Sequence, residues 1–596
     1  MTPRKKTHRD LIKGWHPHTD EEINRYVSKG FWHNITVTDC LDRNAETFPN
    51  RLAVTDGYTE VTWGELKEKT NRLAIHLLRL GVKYGDFFAL RLPNTVEFMY
   101  MYFALNRIGV IPIMGLPRHR KLEVEHYIRL HEAKGICVAN NEKSDSVSLV
   151  EEIREQHPYL KIFLTAKGQA PSGWLSIEKL LEEPVEKEYP ADYLEQFRPD
   201  PNDICTEQLS GGTTGLSKGI PRTHNDYICG WDYVGRAAGY TDDSIGFVPF
   251  PVAHNASLEN VCGVLIFRGG TLVLSSSPKA ESHFELIDRY KVTHTLLIPV
   301  QITYWMDAYD ALSKKYDLNS LRIIASGGQK VRHELVKWCI ETLKVSFVNT
   351  YGMAEGPQFS NRWHNSNEIM ISTVGRSVIS DPDSHVRLVD HNNDEVEKGQ
   401  VGEVTIKGPL TIKGYFRNEE ETQNAFDEEG FYHSGDLMSL REDGCYIVEG
   451  RKKDMIIRGG ENIYPETIED KLKEHPNVAN CAAVGVPDHR LGEKLCAIVQ
   501  PVKDRAIGFG EVVDYLKKQG VAVFMLPERV EVVEGLPMTA VGKIDKGRLR
   551  AYVTTRLFQE GKITKALGDE YLMRDKFRID DVLSGKVKIE LSDASA

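Results

Sequence analysis

Short apolar runs alternate with amphipathic helical patterns through most of this chain, and this alternation restricts the fold more than any other feature. Residues 61–81 give the clearest helical pattern, because Thr62 and Glu65 have the spacing of a capping box and Gly81 stands where a helix would end. Apolar runs predict strands at residues 87–90, 135–139, 161–165, 271–275, 295–299, 321–325 and 346–350. Strands separated by helices predict an α/β architecture with largely parallel sheets.

The character of the sequence changes near residue 448. Residues 411–447 are rich in glycine and charged residues and predict hairpins and turns. Beyond them, helices predicted at 465–474 and 509–518 and strands at 480–486, 494–501 and 529–533 indicate a small α+β domain. We therefore divide the chain into a large N-terminal domain (1–449), a small C-terminal domain (450–556) and a charged extension (557–596). The extension is predicted to be a surface helix or a partly disordered segment.

Charge and cysteine content exclude several classes of protein. The 596 residues carry 75 Lys and Arg against 86 Asp and Glu, so the formal net charge is −11. This acidic balance argues against a nucleic-acid-binding protein that works through bulk positive charge. The nine cysteines are scattered without a C-x-x-C pair, which indicates free thiols in a reducing compartment. No apolar run can span a bilayer as one helix, so we expect a soluble cytoplasmic enzyme.

The most informative segment runs from residue 209 to residue 219 and reads LSGGTTGLSKG. Its glycines allow a tight turn whose backbone N–H groups point toward one position, and its hydroxyl groups and Lys218 add further donors. This composition suits a polyphosphate. The segment is not a Walker A loop, because no Gly-Lys-Ser/Thr sequence closes it at the required spacing. The alternative, a flexible surface loop, fits less well with so many hydroxyl groups beside one lysine.

Several motifs, in the right order along the chain, resemble those of the adenylate-forming superfamily, which includes acyl-CoA synthetases, adenylation domains and luciferases. The resemblance covers about residues 10–555 and is strongest to the aryl-acid branch, typified by 2,3-dihydroxybenzoate–AMP ligases. Residues 208–218, 220–227, 252–255 and 351–356 carry the assignment to that branch. The resemblance implies a large N-terminal domain of mixed parallel sheets with helices, followed by a small mobile α+β domain that pivots at Lys453.

The resemblance also implies which residues bind ATP and catalyse adenylate formation. Glu355 would hold Mg²⁺, Asp436 would accept hydrogen bonds from both ribose hydroxyls, and Arg451 would contact the ribose or the phosphates. Lys543 would be the catalytic lysine that offsets the repulsion between the attacking carboxylate and the α-phosphate. The complete set implied for the nucleotide is Ser210, Gly211, Gly212, Thr213, Thr214, Gly215, Lys218, Gly327, Gly328, Tyr351, Gly352, Glu355, Asp436 and Arg451.

The acyl pocket follows from the same resemblance. Its implied members are His254, Asn255, Ala256, Asn260, Ser326 and Gly327. His254, also implied as catalytic, and Asn255 match the aryl-acid branch, in which the asparagine meets an ortho hydroxyl. The dihydroxybenzoate enzymes carry Tyr and Ser where this chain has Ala256 and Asn260, so the first change opens space and the second adds an amide. A substituted benzoate, a heteroaromatic acid and an alicyclic acid all stay open as substrates.

The acceptor of the acyl group separates two hypotheses. Residues 455–465, MIIRGGENIYP, look more like acyl-CoA synthetases than like free-standing aryl-AMP ligases, which favours coenzyme A. The leading hypothesis is an AMP-forming acid–thiol ligase that uses ATP and Mg²⁺ to activate an aromatic or cyclic carboxylic acid and then forms the coenzyme A thioester. The alternative is an aryl-acid–AMP ligase, of the 2,3-dihydroxybenzoate or salicylate type, that loads the phosphopantetheine of a separate carrier protein.

A third interpretation, a catalytically silent nucleotide-binding protein, is disfavoured because Lys218, Glu355, Asp436, Arg451 and Lys543 are all present. The expected partners are the carboxylic acid and either coenzyme A or a carrier protein, with no nucleic acid and no membrane span. The oligomeric state is left open, with a homodimer as one candidate.

Overall fold

The computed structural model describes residues 6–141, 145–210, 217–328, 331–379, 381, 384–459, 461–539, 543–587 and 589. The described strands form four sheets. They are β1 Leu52–Thr55, β2 Glu60–Thr62, β3 Phe87–Arg91, β4 Ile111–Met114, β5 Gly135–Ala139, β6 Ile162–Ala166, β7 Leu175–Ser176, β8 Ile204–Leu209, β9 Gly219–Thr223, β10 Ile245–Val248, β11 Thr271–Leu274, β12 His294–Leu297, β13 Ile323–Ser326, β14 Ser346–Gly352, β15 Gln358–Ser360, β16 Arg376–Ser377, β17 His385–Val389, β18 Val401–Lys407, β19 Tyr432–Leu440, β20 Tyr446–Arg451, β21 Ile456–Arg458, β22 Glu461–Ile463, β23 Val478–Asp488, β24 Gly492–Pro501 and β25 Arg529–Val532.

The described helices alternate with these strands over most of the chain. They are α1 His8–Leu11, α2 Asp20–Ser28, α3 Val37–Thr47, α4 Trp63–Arg79, α5 Val96–Arg107, α6 Lys121–His131, α7 Ser146–Ile153, α8 Ile177–Glu182, α9 His224–Ala237, α10 Asn255–Ser257, α11 Gly263–Arg268, α12 Ala280–Tyr290, α13 Pro299–Leu312, α14 His333–Glu341, α15 Asn367–Ser372, α16 Glu419–Ala425, α17 Pro465–Lys473, α18 Phe509–Lys518, α19 Lys546–Gln559, α20 Lys565–Leu572 and α21 Ile579–Leu583.

Two mixed sheets form most of the N-terminal part of the molecule. The first has the order β7-β6-β5-β3-β4-β8-β9 and is parallel except where β9 runs antiparallel to β8. The second has the order β16-β15-β14-β13-β12-β10-β11-β1-β2 and is parallel from β14 to β1, with antiparallel strands at both edges. Every residue of α5 is buried, as expected for a helix enclosed on all sides. This architecture confirms the predicted α/β class.

The C-terminal part contains two smaller sheets. Strands β17 to β20 form an antiparallel meander, and the last sheet has the order β22-β21-β24-β23 with β25 parallel to β24. Alternate residues of β23 and β24 enter two separate clusters, because successive side chains in a strand point to opposite faces. One cluster includes residues of α17 and α18, and the other includes residues of α19. The last sheet and its helices therefore form the predicted small α+β unit.

The predicted boundary at residue 557 falls inside α19, so the C-terminal residues continue directly from the small domain. Asp575 lies just after α20 and accepts two hydrogen bonds from Arg550, at 2.6 and 2.7 Å. Arg550 also donates to Asp454, at 2.8 Å, next to the predicted pivot Lys453. All three charged side chains of this network are buried. The extension, predicted as a surface helix or a partly disordered segment, thus contains two short helices, α20 and α21, and Asp575 between them joins it to Arg550 of α19.

Local signals in the sequence match the structure closely. Thr62 caps α4 and forms the expected capping box with Glu65, and α18 has the predicted limits. Residues 411–447 differ from the prediction, because α16 lies among the expected hairpins and turns. Asn418 caps α16, and three glutamates fill its first turn. Short helices of this kind are easily hidden by a charged sequence.

All nine cysteines belong to the described residues, where each is buried and unpaired, in agreement with the prediction of free thiols. Within the described chain, no helix combines the length and apolar character needed to cross a membrane.

Candidate active site

The predicted nucleotide-binding residues follow the carboxyl ends of strands in both large sheets. Strand β8 ends immediately before Ser210, β13 ends at Ser326, and β14 ends at Gly352. Ligands of open α/β sheets bind at these carboxyl ends. A Cβ at Gly327 would lie 2.2 Å from the carbonyl oxygen of Thr350, so glycine allows the close approach of the chains that follow β13 and β14.

The ends of the predicted phosphate-binding loop are held together by hydrogen bonds. The Ser210 amide donates to the Lys218 carbonyl at 3.0 Å, and the Lys218 amide donates to Ser210 Oγ at 2.9 Å. Lys218 Nζ lies 2.6 Å from Glu421 and 4.4 Å from the ring centre of Tyr415. The predicted residues Gly211, Gly212, Thr213, Thr214 and Gly215 lie outside the described residues. The structure thus places the lysine and the base of the loop.

Glu355 follows β14 and lies close to the lysine at the end of the loop. Tyr415 donates a hydrogen bond to Glu355 Oε1 at 2.9 Å, and the Lys218 ammonium lies over the same tyrosine ring in a cation–π contact. In the described part of the chain, Glu355 Oε2 accepts no hydrogen bond. One free carboxylate oxygen beside a phosphate loop is a suitable donor for Mg²⁺, which usually takes only one or two protein carboxylates and completes its shell with phosphate and water. The described residues contain no cluster of three or more His, Cys, Asp or Glu side chains that could hold a metal alone.

The predicted ribose carboxylate is fixed by two partners. Tyr351 donates to Asp436 Oδ2 at 2.6 Å, and Arg451 Nε lies 2.9 Å from Oδ1. Asp436 on β19 and Arg451 on β20 are direct cross-strand neighbours, which explains how residues 15 positions apart meet. The nearby carboxylate raises the pKa of Arg451 further above its ordinary value. The site therefore presents a fixed acid and a permanently charged guanidinium side by side.

Lys543, in the small domain, is influenced electrostatically by this same pair. Its loop is closed by two hydrogen bonds, from the Thr539 amide to the Lys543 carbonyl and from the Lys543 amide to Thr539 Oγ1. Burial lowers the pKa of Lys543 to about 8, the positive charges of Arg451 and Lys453 act in the same direction, and Asp436 opposes them. The predicted catalytic lysine, the ribose pair and the predicted pivot are thus gathered in one electrostatic environment.

His254, a residue of the predicted acyl pocket, is influenced by the charge of Lys543. Burial lowers its pKa to about 3, with smaller contributions from the charges of Arg118 and Lys543. The Ala256 amide donates to His254 Nδ1 at 3.1 Å, so the proton of the neutral imidazole is on Nε2. The ring contacts Phe250 edge-on, with centroids 4.7 Å apart. His254 is therefore a neutral donor close to the charged lysine.

Of the other predicted pocket residues, Asn255 and Ala256 lie in α10 and Asn260 on the wide helical turn Leu258–Cys262, whereas Ser326 and Gly327 lie at the end of β13. Asn255 accepts a hydrogen bond from Tyr227 at 2.9 Å and donates one to Glu259 at 2.7 Å. Asn260 donates to the carbonyl oxygen of Ala256 at 3.0 Å, so one of its amide protons already has a partner in the helix. Ala256 stays partly exposed, as expected if its small side chain leaves space in the pocket.

Tyr415, Glu259 and Arg118 contact or influence the site but were not predicted from the sequence. Tyr415 is 60 residues from Glu355, and nothing local in the sequence joins them. Glu259 gives one weak signal, because it is an acid in the otherwise apolar stretch around Leu258 and Val261. Because a buried acid usually has a specific partner, an acid in an apolar stretch is the signal that could have pointed to Glu259.

Comparison with known proteins agrees with this geometry. Residues 41–416 match the family of AMP-binding enzymes, and residues 467–543 match the AMP-binding enzyme C-terminal domain. The chain belongs to the AMP-binding enzyme family. It is an adenylate-forming enzyme of the aryl-acid branch, as the sequence motifs indicated, and binding of ATP follows from this membership.

Three relatives of this AMP-binding enzyme cover nearly its whole length. It is 36% identical to the 2,3-dihydroxybenzoate-AMP ligase of Bacillus subtilis (strain 168), over 92% of this chain and 99% of that protein. It is 34% identical to the salicylyl-CoA synthase / salicylate adenylyltransferase of a Streptomyces species, over 91% and 98%. It is 33% identical to the salicyl-AMP ligase / salicyl-S-ArCP synthetase of Mycobacterium tuberculosis (strain ATCC 25618 / H37Rv), over 93% and 96%.

Proposed function

We propose that this enzyme uses ATP to activate an aryl acid with an ortho hydroxyl group, of the salicylate or 2,3-dihydroxybenzoate class, and then loads the acyl group onto a separate carrier protein. The observation that carries the proposal is the Asp436–Arg451 pair, 2.9 Å apart, whose charges act on the pKa of Lys543, while the charge of Lys543 acts on the pKa of His254. These mutual influences support a role for Lys543 at both the residues predicted for the ribose and the residue predicted for the acid. The names of the relatives supply the substrate class.

In the first step, a carboxylate oxygen of the acid attacks the α-phosphorus of ATP, and the bond to pyrophosphate breaks. Both reactants are anions, so a fixed cation between them lowers the barrier. Lys543 would supply this charge. Asp436 would hold the ribose hydroxyls, Arg451 would contact the ribose or the phosphates, and Lys218 would contact the phosphates from the end of its loop.

Glu355 would hold Mg²⁺ through Oε2, which accepts no hydrogen bond from the described residues, and Tyr415 would fix the orientation of that side chain. When bound, the metal ion supplies charge neutralisation at the phosphates. Because His254 stays neutral at physiological pH, it is suited to donate from Nε2 to a carboxylate oxygen of the acid, and it adds no charge beside Lys543.

In the second step, a thiol attacks the acyl carbonyl and AMP leaves. The sequence of residues 455–465 favoured coenzyme A as the thiol, whereas the relatives taken together favour a carrier protein. We therefore propose the carrier protein as the main acceptor. Coenzyme A is the second candidate, supported by residues 455–465 and by the Streptomyces relative.

The acceptor is tested by discharge of an enzyme-bound aryl-adenylate. The enzyme is incubated with ATP, Mg²⁺ and radiolabelled salicylate, and either coenzyme A or a phosphopantetheinylated aryl carrier protein is added. The proposal predicts repeated turnover to acyl carrier protein, followed as label on protein and as AMP release. Sustained formation of salicylyl-CoA together with an inert carrier protein would establish coenzyme A as the acceptor instead.

A further inference from the structure

Asn255 lies in the middle of a chain of buried side chains. Gln208 Nε2 donates to the Tyr227 hydroxyl at 3.1 Å, Tyr227 donates to Asn255 Oδ1 at 2.9 Å, and Asn255 Nδ2 donates to Glu259 Oε2 at 2.7 Å. Tyr227 and Glu259 have no exposed surface, whereas Asn255 keeps 9%. Asn255 is therefore the member of this chain that can meet a ligand.

The carboxylate of Glu259, at the end of this hydrogen-bonded series, occupies space beside Gly230. A Cβ at Gly230 would lie 2.5 Å from Glu259 Oε1, so the glycine in α9 leaves the room that the carboxylate occupies. The guanidinium of Arg222 lies 3.7 Å from the same oxygen. Burial raises the pKa of Glu259, and Arg222 acts in the opposite direction. Glu259 sits on the wide helical turn Leu258–Cys262, a feature often found at functional sites.

The hydrogen bonds on either side of Asn255 run in one direction, from Tyr227 toward Glu259. Glu259 Oε2 accepts from Asn255 Nδ2, and Asn255 Oδ1 accepts from the Tyr227 hydroxyl, so the two contacts together fix which way the amide faces. The second N–H of Asn255 is then left for the acyl pocket. An acid with an ortho hydroxyl group can donate that proton to its own carboxylate, which leaves the hydroxyl oxygen as an acceptor.

We propose that Glu259 is a positioning residue that fixes the amide of Asn255, so that an N–H donor faces the ortho oxygen of the aryl acid. This inference rests on the proposed function, because it needs an acid of that class as substrate. Glu259 itself does not touch the acid. Its effect is therefore selective for acids that carry the ortho oxygen.

Glu259→Gln tests this role, because glutamine has the same shape but can donate as well as accept, which frees the amide of Asn255 to turn. The specificity constant kcat/KM is measured by acid-dependent exchange of labelled pyrophosphate into ATP, at pH 8.0, with salicylate and with benzoate. The dissociation constants of both acids are measured by calorimetry. We expect the ratio of salicylate to benzoate to fall about tenfold, the scale of one charge-assisted hydrogen bond.

Two further variants complete the test. Glu281→Gln changes an exposed glutamate paired with Lys315 and should leave the ratio unchanged. Tyr227→Phe removes the donor to Asn255 Oδ1 and should lower the ratio in the same direction as Glu259→Gln, which keeps the test decisive if one variant folds poorly. Equal losses for salicylate and benzoate in both site variants would overturn the positioning role while the wild-type activity stands. Failure of the wild type to activate any ortho-hydroxylated acid would refute the proposed function, and this inference with it.

Discussion

Adenylate formation should decline at alkaline pH because the charge of Lys543 is lost there. The pKa of Lys543 is about 8, lowered by burial and by the neighbouring cations. The lysine must be protonated to act between two anions, so the rate falls as the pH rises through this value. At pH 9, one unit higher, only about one lysine in eleven is still protonated, and kcat/KM should fall to about a tenth of its plateau.

The assay is the pH dependence of kcat/KM for ATP in pyrophosphate exchange, because this constant reports the ionisation of the free enzyme. Lys543→Arg provides the decisive control, since a guanidinium stays charged over the whole range. The variant should be slower throughout but should lose the alkaline decline. Persistence of the same decline in Lys543→Arg, or no decline in the wild type below pH 10, would refute the assignment of this charge to the reaction.

Three further changes test other parts of the structure. Lys543→Ala should slow adenylate formation by on the order of 10²–10³ and leave the reaction of presynthesised aryl-adenylate with the thiol nearly intact; equal loss of both steps in stopped assays would contradict this role. Ala256→Tyr should narrow the acyl pocket and shift kcat/KM toward small hydroxybenzoates; unchanged relative values across acids of different size would remove Ala256 from the pocket. Asp575→Ala should lower the free energy of unfolding of the small domain by about 1.5–3 kcal/mol in denaturant titrations, because it removes two hydrogen bonds from the buried Arg550, which keeps Asp454 as its other carboxylate partner. Asp580→Ala, which removes an exposed partner of Lys565, should cost at most about 1 kcal/mol and serves as the control.

The elements predicted best from the sequence are those determined by neighbouring residues. The capping box of Thr62 and Glu65 and the amphipathic pattern of α18 act within a few positions, and the structure has both. Seven parallel strands of the large sheets were predicted within about two residues of their observed limits, because continuous apolar runs are typical of buried strands. They are β3, β5, β6, β11, β12, β13 and β14, whereas β1, β4, β7, β8 and β10 were not predicted. Their order in the two large sheets depends on contacts between distant segments, which a single sequence does not encode locally.

The same distinction applies to the site. Motif resemblance predicted Asp436, Arg451 and Lys543 individually, and the structure adds that Asp436 and Arg451 are in contact and that their charges act on the pKa of Lys543. Tyr415 was missed because its partner Glu355 is 60 residues away. Glu259 was missed because an acid inside an apolar stretch gains its meaning only when Asn255, one helical turn earlier, is seen between it and Tyr227.

Acid-dependent pyrophosphate exchange over a panel of carboxylic acids tests the central claim most directly. The purified enzyme is given ATP, Mg²⁺, labelled pyrophosphate and one acid at a time, with salicylate, 2,3-dihydroxybenzoate, benzoate, nicotinate and cyclohexanecarboxylate as the panel. The proposed function predicts fast exchange with salicylate or 2,3-dihydroxybenzoate, with benzoate weaker and cyclohexanecarboxylate near background. Exchange that is fastest with cyclohexanecarboxylate, or absent with every aryl acid, would contradict it.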